Sequence, residues 1–162
     1  MKRIILAIIG LAFSACLSAQ TLTGQWERSS AQETEGVALS VEEAITFLES
    51  NVVEEEMVMS MKMADEPGVL KWKITFNGSW SLEDGVLTLD YDKKSVKFEA
   101  LEKPDDFPDS FMKMFARKFE SNLKKDMKKA AKLTVVELTS DQLGLLNEGK
   151  PGAEVGTYRR KQ

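Results

Sequence analysis

The sequence predicts a mainly β protein, an up-and-down antiparallel β-barrel of about eight or nine strands with one amphipathic α-helix inserted near residues 109–131. Three observations carry this expectation. Met57, Met59, Met61 and Met63, then Trp72, Ile74, Phe76, Gly78, Trp80 and Leu82, alternate with mostly polar residues, and a period of two places them on one face of a hairpin. Turn signals such as Glu83-Asp84-Gly85 separate successive alternating runs, the pattern of a meander that closes on itself and so hides its edges. Phe111, Phe115, Phe119, Leu123 and Met127 recur at every fourth position, which marks one face of a helix.

The first 19 residues are expected to be a signal peptide rather than part of the fold. Lys2 and Arg3 form a basic n-region, and the apolar run Ile4 to Phe13 is shorter than the roughly 20 residues of a membrane span. Leu17-Ser18-Ala19 then offers a cleavage site before Gln20, although Leu17 is larger than ideal. The competing reading is lipid anchoring at Cys16, in Phe13-Ser14-Ala15-Cys16, where Phe13 stands at the position at which Leu is usual. Either way the expected location is the periplasm or the exterior, with residues 20–162 as one domain. That domain has neither cysteine nor histidine, so packing rather than disulfides must stabilise it. Its 20 basic and 26 acidic residues give a net charge of −6, which provides no overall attraction for nucleic acid.

Leu22 to Arg28 reads as a first strand, with Leu22 and Trp26 on one face. Residues 29–40 are polar and small and read as a loop. In Val41 to Leu48, Ser40 and Glu43 have the capping-box spacing, so a helical turn leading into a strand is expected. Val52 to Met63 and Val69 to Leu82 form the long hairpin around Ala64-Asp65-Glu66-Pro67-Gly68, and Val86 to Tyr91 returns after the Asp-Gly turn. Ser95 to Leu101 follows as the next strand, each pairing with its sequence neighbour. Pro104 to Asp109 opens the helix with acidic residues. Leu133 to Leu138, Gln142 to Leu146 and Glu154 to Arg160 complete the strands, joined through Thr139-Ser140-Asp141 and Gly149-Lys150-Pro151-Gly152.

Gly24-x-Trp26 in the first strand and Thr157-Tyr158-Arg159-Arg160 in the last resemble the motifs of the lipocalins and related calycins, as do Gly78 to Leu87 and Leu138 to Leu143 of their secreted bacterial relatives. The resemblance spans most of residues 21–160, each motif being short. It implies a barrel with an internal cavity for an apolar ligand. It also implies that Trp26 closes one end, with an arginine of the last strand, Arg159 or its neighbour Arg160, packed across it; Arg159 is the assigned residue. The helix near 109–131 departs from the family, whose helix follows the eighth strand.

The candidate ligand-binding residues are Trp26, Met59, Met61, Trp72, Phe76 and Trp80, read as the barrel wall. The methionines are soft enough to suggest Cu(I), but neighbours on one strand stand about 7 Å apart and no His or Cys completes a site. They are therefore read as an adaptable apolar wall, with no metal and no cofactor implied. Without histidine, or a cysteine nucleophile in the exported domain, catalysis has little to stand on, and no enzyme is expected. Glu54-Glu55-Glu56 reads as a solvated strand end.

From Phe111 to Lys132 eight basic residues, Lys124, Lys125, Lys128 and Lys129 among them, face only Glu120 and Asp126. Two readings follow. The helix docks its Phe stripe on the barrel, attracted by the ten acids within residues 33–66, or it engages a membrane surface or acidic partner. Docking is the favoured reading, and the leading function is non-catalytic binding of a small apolar or amphipathic ligand.

Overall fold

The computed structural model describes residues 22–34, 36–64, 68–105, 107–147 and 152–162. The expected signal peptide and Cys16 lie outside them, as do Asp65-Glu66-Pro67 of the hairpin turn and residues 148–151. Nine strands are described: β1 (Gly24–Thr34), β2 (Val37–Phe47), β3 (Val52–Met63), β4 (Leu70–Glu83), β5 (Val86–Tyr91), β6 (Lys97–Glu102), β7 (Ala131–Leu138), β8 (Gln142–Leu146) and β9 (Gly156–Arg160). One helix, α1 (Asp109–Asp126), lies between β6 and β7. All pairings are antiparallel. Eight strands close the barrel in the order β1-β2-β3-β4-β5-β7-β8-β9, and β6 is the extra one. Among the described residues no helix is long and apolar enough to cross a membrane.

The stretch expected to be a loop, residues 29–40, instead forms the far half of β1 and the start of β2. The two strands pair without a break from Gly24↔Phe47 to Thr34↔Val37. Ser29 to Thr34 are exposed on both faces, so no apolar alternation betrayed the strand. The expected helical turn over Ser40 to Glu43 is strand as well. Glu43 is not a capping residue but an inward-facing one, on the same face as Val41, Ile45 and Phe47.

The expected meander fails at β6, and the reason is the length of β4. β5 pairs with its second half, Gly78 to Glu83, whereas β6 pairs with its first half, Lys71 to Thr75, along the same edge. β5 and β6 are thus two segments of one path running antiparallel to β4, broken by a corner at Asp92 to Ser95. Hydrogen bonds fasten that corner to Asn77: its N–H donates to Ser95 Oγ at 2.9 Å, and its carbonyl accepts from Asp92 N at 2.9 Å. Gly78 makes room for the corner, since a Cβ there would lie 2.2 Å from the Asp90 carbonyl oxygen. β7 then pairs with β5, not with β6.

Beyond the barrel rim, β6 therefore widens the β2–β3–β4 sheet, and α1 covers the inner face of this extension. Phe115, Phe119 and Leu123 of α1 pack among Met57, Met59, Ile74, Phe76 and Phe98. Docking by the Phe stripe thus has its partner surface. The helix stops at Asp126, capped at Met127, rather than at Ala131, because Ala131 already pairs with Leu89 as the first residue of β7.

Candidate functional site

Inward-facing side chains fall into three zones, two within the barrel and one beneath α1. At one end Trp26 is fully buried, and its Nε1 donates to the Leu22 carbonyl at 2.7 Å. The guanidinium lying over its ring, 4.2 Å from the centroid, belongs to Arg160 and not to Arg159. Alternation along β9 is the cause: Arg160 pairs with Trp26 and shares its face, whereas Arg159 pairs with Glu27 and points outward into solvent. Arg160 is held by the carbonyls of Thr23 at 2.7 Å and Ser140 at 2.6 Å. Trp80 belongs to this end too, its ring edge-on to Phe47 at 5.5 Å and its Nε1 donating to the Leu48 carbonyl at 3.1 Å. Both of these tryptophans have their indole donors satisfied.

A belt of five polar groups follows, which the sequence reading missed. Glu43, from β2, is buried and accepts from Arg28 Nε at 2.8 Å, from Arg28 NH2 at 2.6 Å and from the Tyr158 hydroxyl at 2.5 Å. The Arg28 guanidinium also lies 4.7 Å from the Tyr158 ring centroid. Glu55, on β3, stands on the same face as Met57 and accepts from the Tyr91 hydroxyl of β5. It is therefore not the solvated strand end expected of Glu54-Glu55-Glu56. Its parity with the methionine stripe was the signal that could have placed it inside.

Burial, and after it the Glu43 carboxylate, push the Glu55 carboxyl up to about 8, against the lowering effects of the Tyr91 hydrogen bond and Arg28. Burial likewise raises both tyrosines, Tyr91 also through Glu55 and Tyr158 through Glu43. At neutral pH Glu55 therefore holds its proton, while Glu43 is compensated by Arg28. The sign of the linkage is definite. The folded state keeps a proton that the unfolded chain releases near 4.5, so the contribution of Glu55 to stability is full below that pH and is lost as pH rises toward about 8. The slope is at most about 1.4 kcal/mol per pH unit and flattens above the folded-state value. In urea denaturation across this range, Glu55→Gln is expected to remove the decline and to be the more stable protein at about pH 9.

The third zone lies under α1 and holds four of the six residues expected to bind ligand. Met59 and Phe76 pack with Met57 and Met127, and farther out Met61 and Trp72 pack with Leu70, Met63 and Met112. Phe115 of α1 stacks on Trp72, with centroids 4.5 Å apart and 22° between planes. Trp72 is fully buried, and its Nε1 is the one buried side-chain polar atom without a hydrogen-bond partner among the described residues. The six expected residues therefore do not lie together: Trp26 and Trp80 pack in one core cluster, and the other four pack beneath the helix.

The outward face of α1 is cationic. Lys113, Arg117, Lys118 and Lys125 are exposed, as are Lys128 and Lys129 just beyond it. Lys124 pairs with Glu120 at 2.5 Å. Among the described residues none of these cations is paired with an acid from the 33–66 segment, and apolar packing holds the helix in place. No protein-family model matches this chain, and no curated protein matches it.

Proposed function

We propose that this protein is an exported, non-catalytic, lipocalin-like binding protein whose ligand inserts between the inner face of β3 and β4 and helix α1. The observation that carries the reading is the indole donor of Trp72, which has no partner among the described residues and lies in an otherwise apolar, methionine-rich core. An unmet buried donor costs about 1–3 kcal/mol, and a ligand oxygen satisfies it. The walls suit an apolar body: Met57, Met59, Met61, Met63, Met112 and Met127 are unbranched and repack at low cost around an incoming shape. The ligand class is thus a small amphipathic molecule with an apolar body and a carbonyl, hydroxyl or carboxyl oxygen.

Two further features support this reading. The Arg160 guanidinium lies over the Trp26 ring, an arrangement that supports the resemblance to lipocalins. The polar belt beyond Phe76, with a protonated Glu55 and the Tyr91 hydroxyl, supplies groups that can orient a polar end. Access requires α1 to shift, and it is held by side-chain packing rather than by ion pairs to the sheet. Titration with a fluorescent long-chain fatty acid is expected to show saturable one-to-one binding, with Kd on the order of micromolar. Fluorescence that rises without saturation, as for non-specific partitioning, counts against the reading.

A further inference from the structure

We propose that the outward face of α1 is a docking surface for an anionic lipid bilayer. This surface is separate from the interior site and faces away from it. On a helix of 3.6 residues per turn, Met112, Phe115 and Phe119 define the buried side, so Lys113, Arg117, Lys118 and Lys125 lie on the opposite one. No ion pair to a described acid neutralises these four. Met114 projects from the middle of this cationic face and is 59% exposed, while Phe111 stands at its edge and is 37% exposed.

Three properties favour a bilayer over an acidic protein. The cations run along one side of an 18-residue helix, about 27 Å long, a spacing that matches a diffuse charged plane. Lysine is a compact point charge without the fork that specifies a carboxylate geometry, and lysines dominate here. An exposed methionine among cations needs a complementary pocket on a protein, but at a bilayer it simply enters the headgroup region. Because the chain as a whole is negative, at −4, attraction to an anionic surface must come from this local face rather than from net charge.

Vesicle flotation tests the proposal, using liposomes of phosphatidylglycerol mixed with phosphatidylcholine and others of phosphatidylcholine alone. The protein should float with the anionic vesicles at low salt, stay behind with the neutral ones, and be released as salt screens the charges. Reversing Lys113, Arg117, Lys118 and Lys125 to Glu should weaken partitioning by roughly a hundredfold or more. Reversing Lys62, Lys93, Lys94 and Lys97 should have a much smaller effect, and Met114→Ser should weaken binding severalfold. Circular dichroism of each variant establishes that the barrel is intact. The proposal is overturned if anionic vesicles do not float the protein, if both sets of reversals act alike, or if binding survives the α1 reversal. Retention on a polyanion without vesicle binding overturns it as well, since it marks an acidic macromolecule as the partner.

Discussion

Glu43→Ala is expected to destabilise the fold by about 3 kcal/mol, because it removes the acceptor shared by two other interior groups. Arg28 loses both of its contacts to Oε2, and the Tyr158 hydroxyl loses its 2.5 Å acceptor between two apolar cores. The Arg28 side chain is 40% exposed and can turn toward water, which keeps the loss at the lower end for a broken interior pair. Glu43→Gln, which keeps an acceptor for Tyr158 and loses only the charge, is expected to cost about half as much. Replacing Arg28 and Glu43 together by Met removes the charges along with their desolvation penalty, and should restore most of the lost stability. Chemical denaturation of the four proteins near neutral pH checks the series. If the double variant is as unstable as Glu43→Ala, the loss does not come from the uncompensated partner.

Trp72→Ala is expected to cost about 4 kcal/mol, the usual range for emptying a fully buried aromatic site. It also removes the ring on which Phe115 stacks, so α1 should loosen, with amides of the helix exchanging faster than those of β1, β8 and β9. Trp72→Phe provides the informative contrast. It keeps an aromatic surface for Phe115 and removes a donor that has no partner, so part of the lost packing is offset and the cost should be near 1 kcal/mol. In the equivalent change at Trp26, whose Nε1 donates to the Leu22 carbonyl, that acceptor is left bare and the cost should be larger.

The sequence was legible wherever one face of a strand is buried. β3, β4 and β5 stand within a few residues of their expected limits, because Val53, Trp72, Ile74, Trp80, Leu87 and Leu89 impose a period of two. It was silent where both faces meet water, as in Ser29 to Thr34, and there backbone pairing with β2 makes the strand. The capping-box spacing of Ser40 and Glu43 misled because a carboxylate near a hydroxyl residue has more than one use. Here Glu43 turns inward to Arg28 and Tyr158, contacts reaching 115 residues along the chain. The polar belt was hidden for the same reason. Arg28, Glu43 and Glu55 interrupt the apolar stripe at inward positions, and a charged residue in a strand reads as solvated until its parity is followed across the sheet.

The corner at Asn77 was equally beyond local pattern. Nothing in Asp92 to Ser95 says that β6 should continue along β4 rather than fold back on β5. That continuation creates the sheet extension, and the extension gives α1 a surface to cover. The stripe of methionines and aromatics lies on the inner face of β3 and β4, and its span across two separate zones depends on this topology.

Titrating the fluorescent fatty acid into native protein, Met61→Trp and Trp72→Phe decides whether a ligand sits against Trp72 and Met61 beneath α1. Met61→Trp adds bulk beneath the helix, and Trp72→Phe removes the donor while leaving the ring. Saturable one-to-one binding to the native protein is expected, weakened at least about tenfold in both variants while their circular dichroism stays native. Equal affinity in all three proteins, or no saturable binding to the native one, would contradict it.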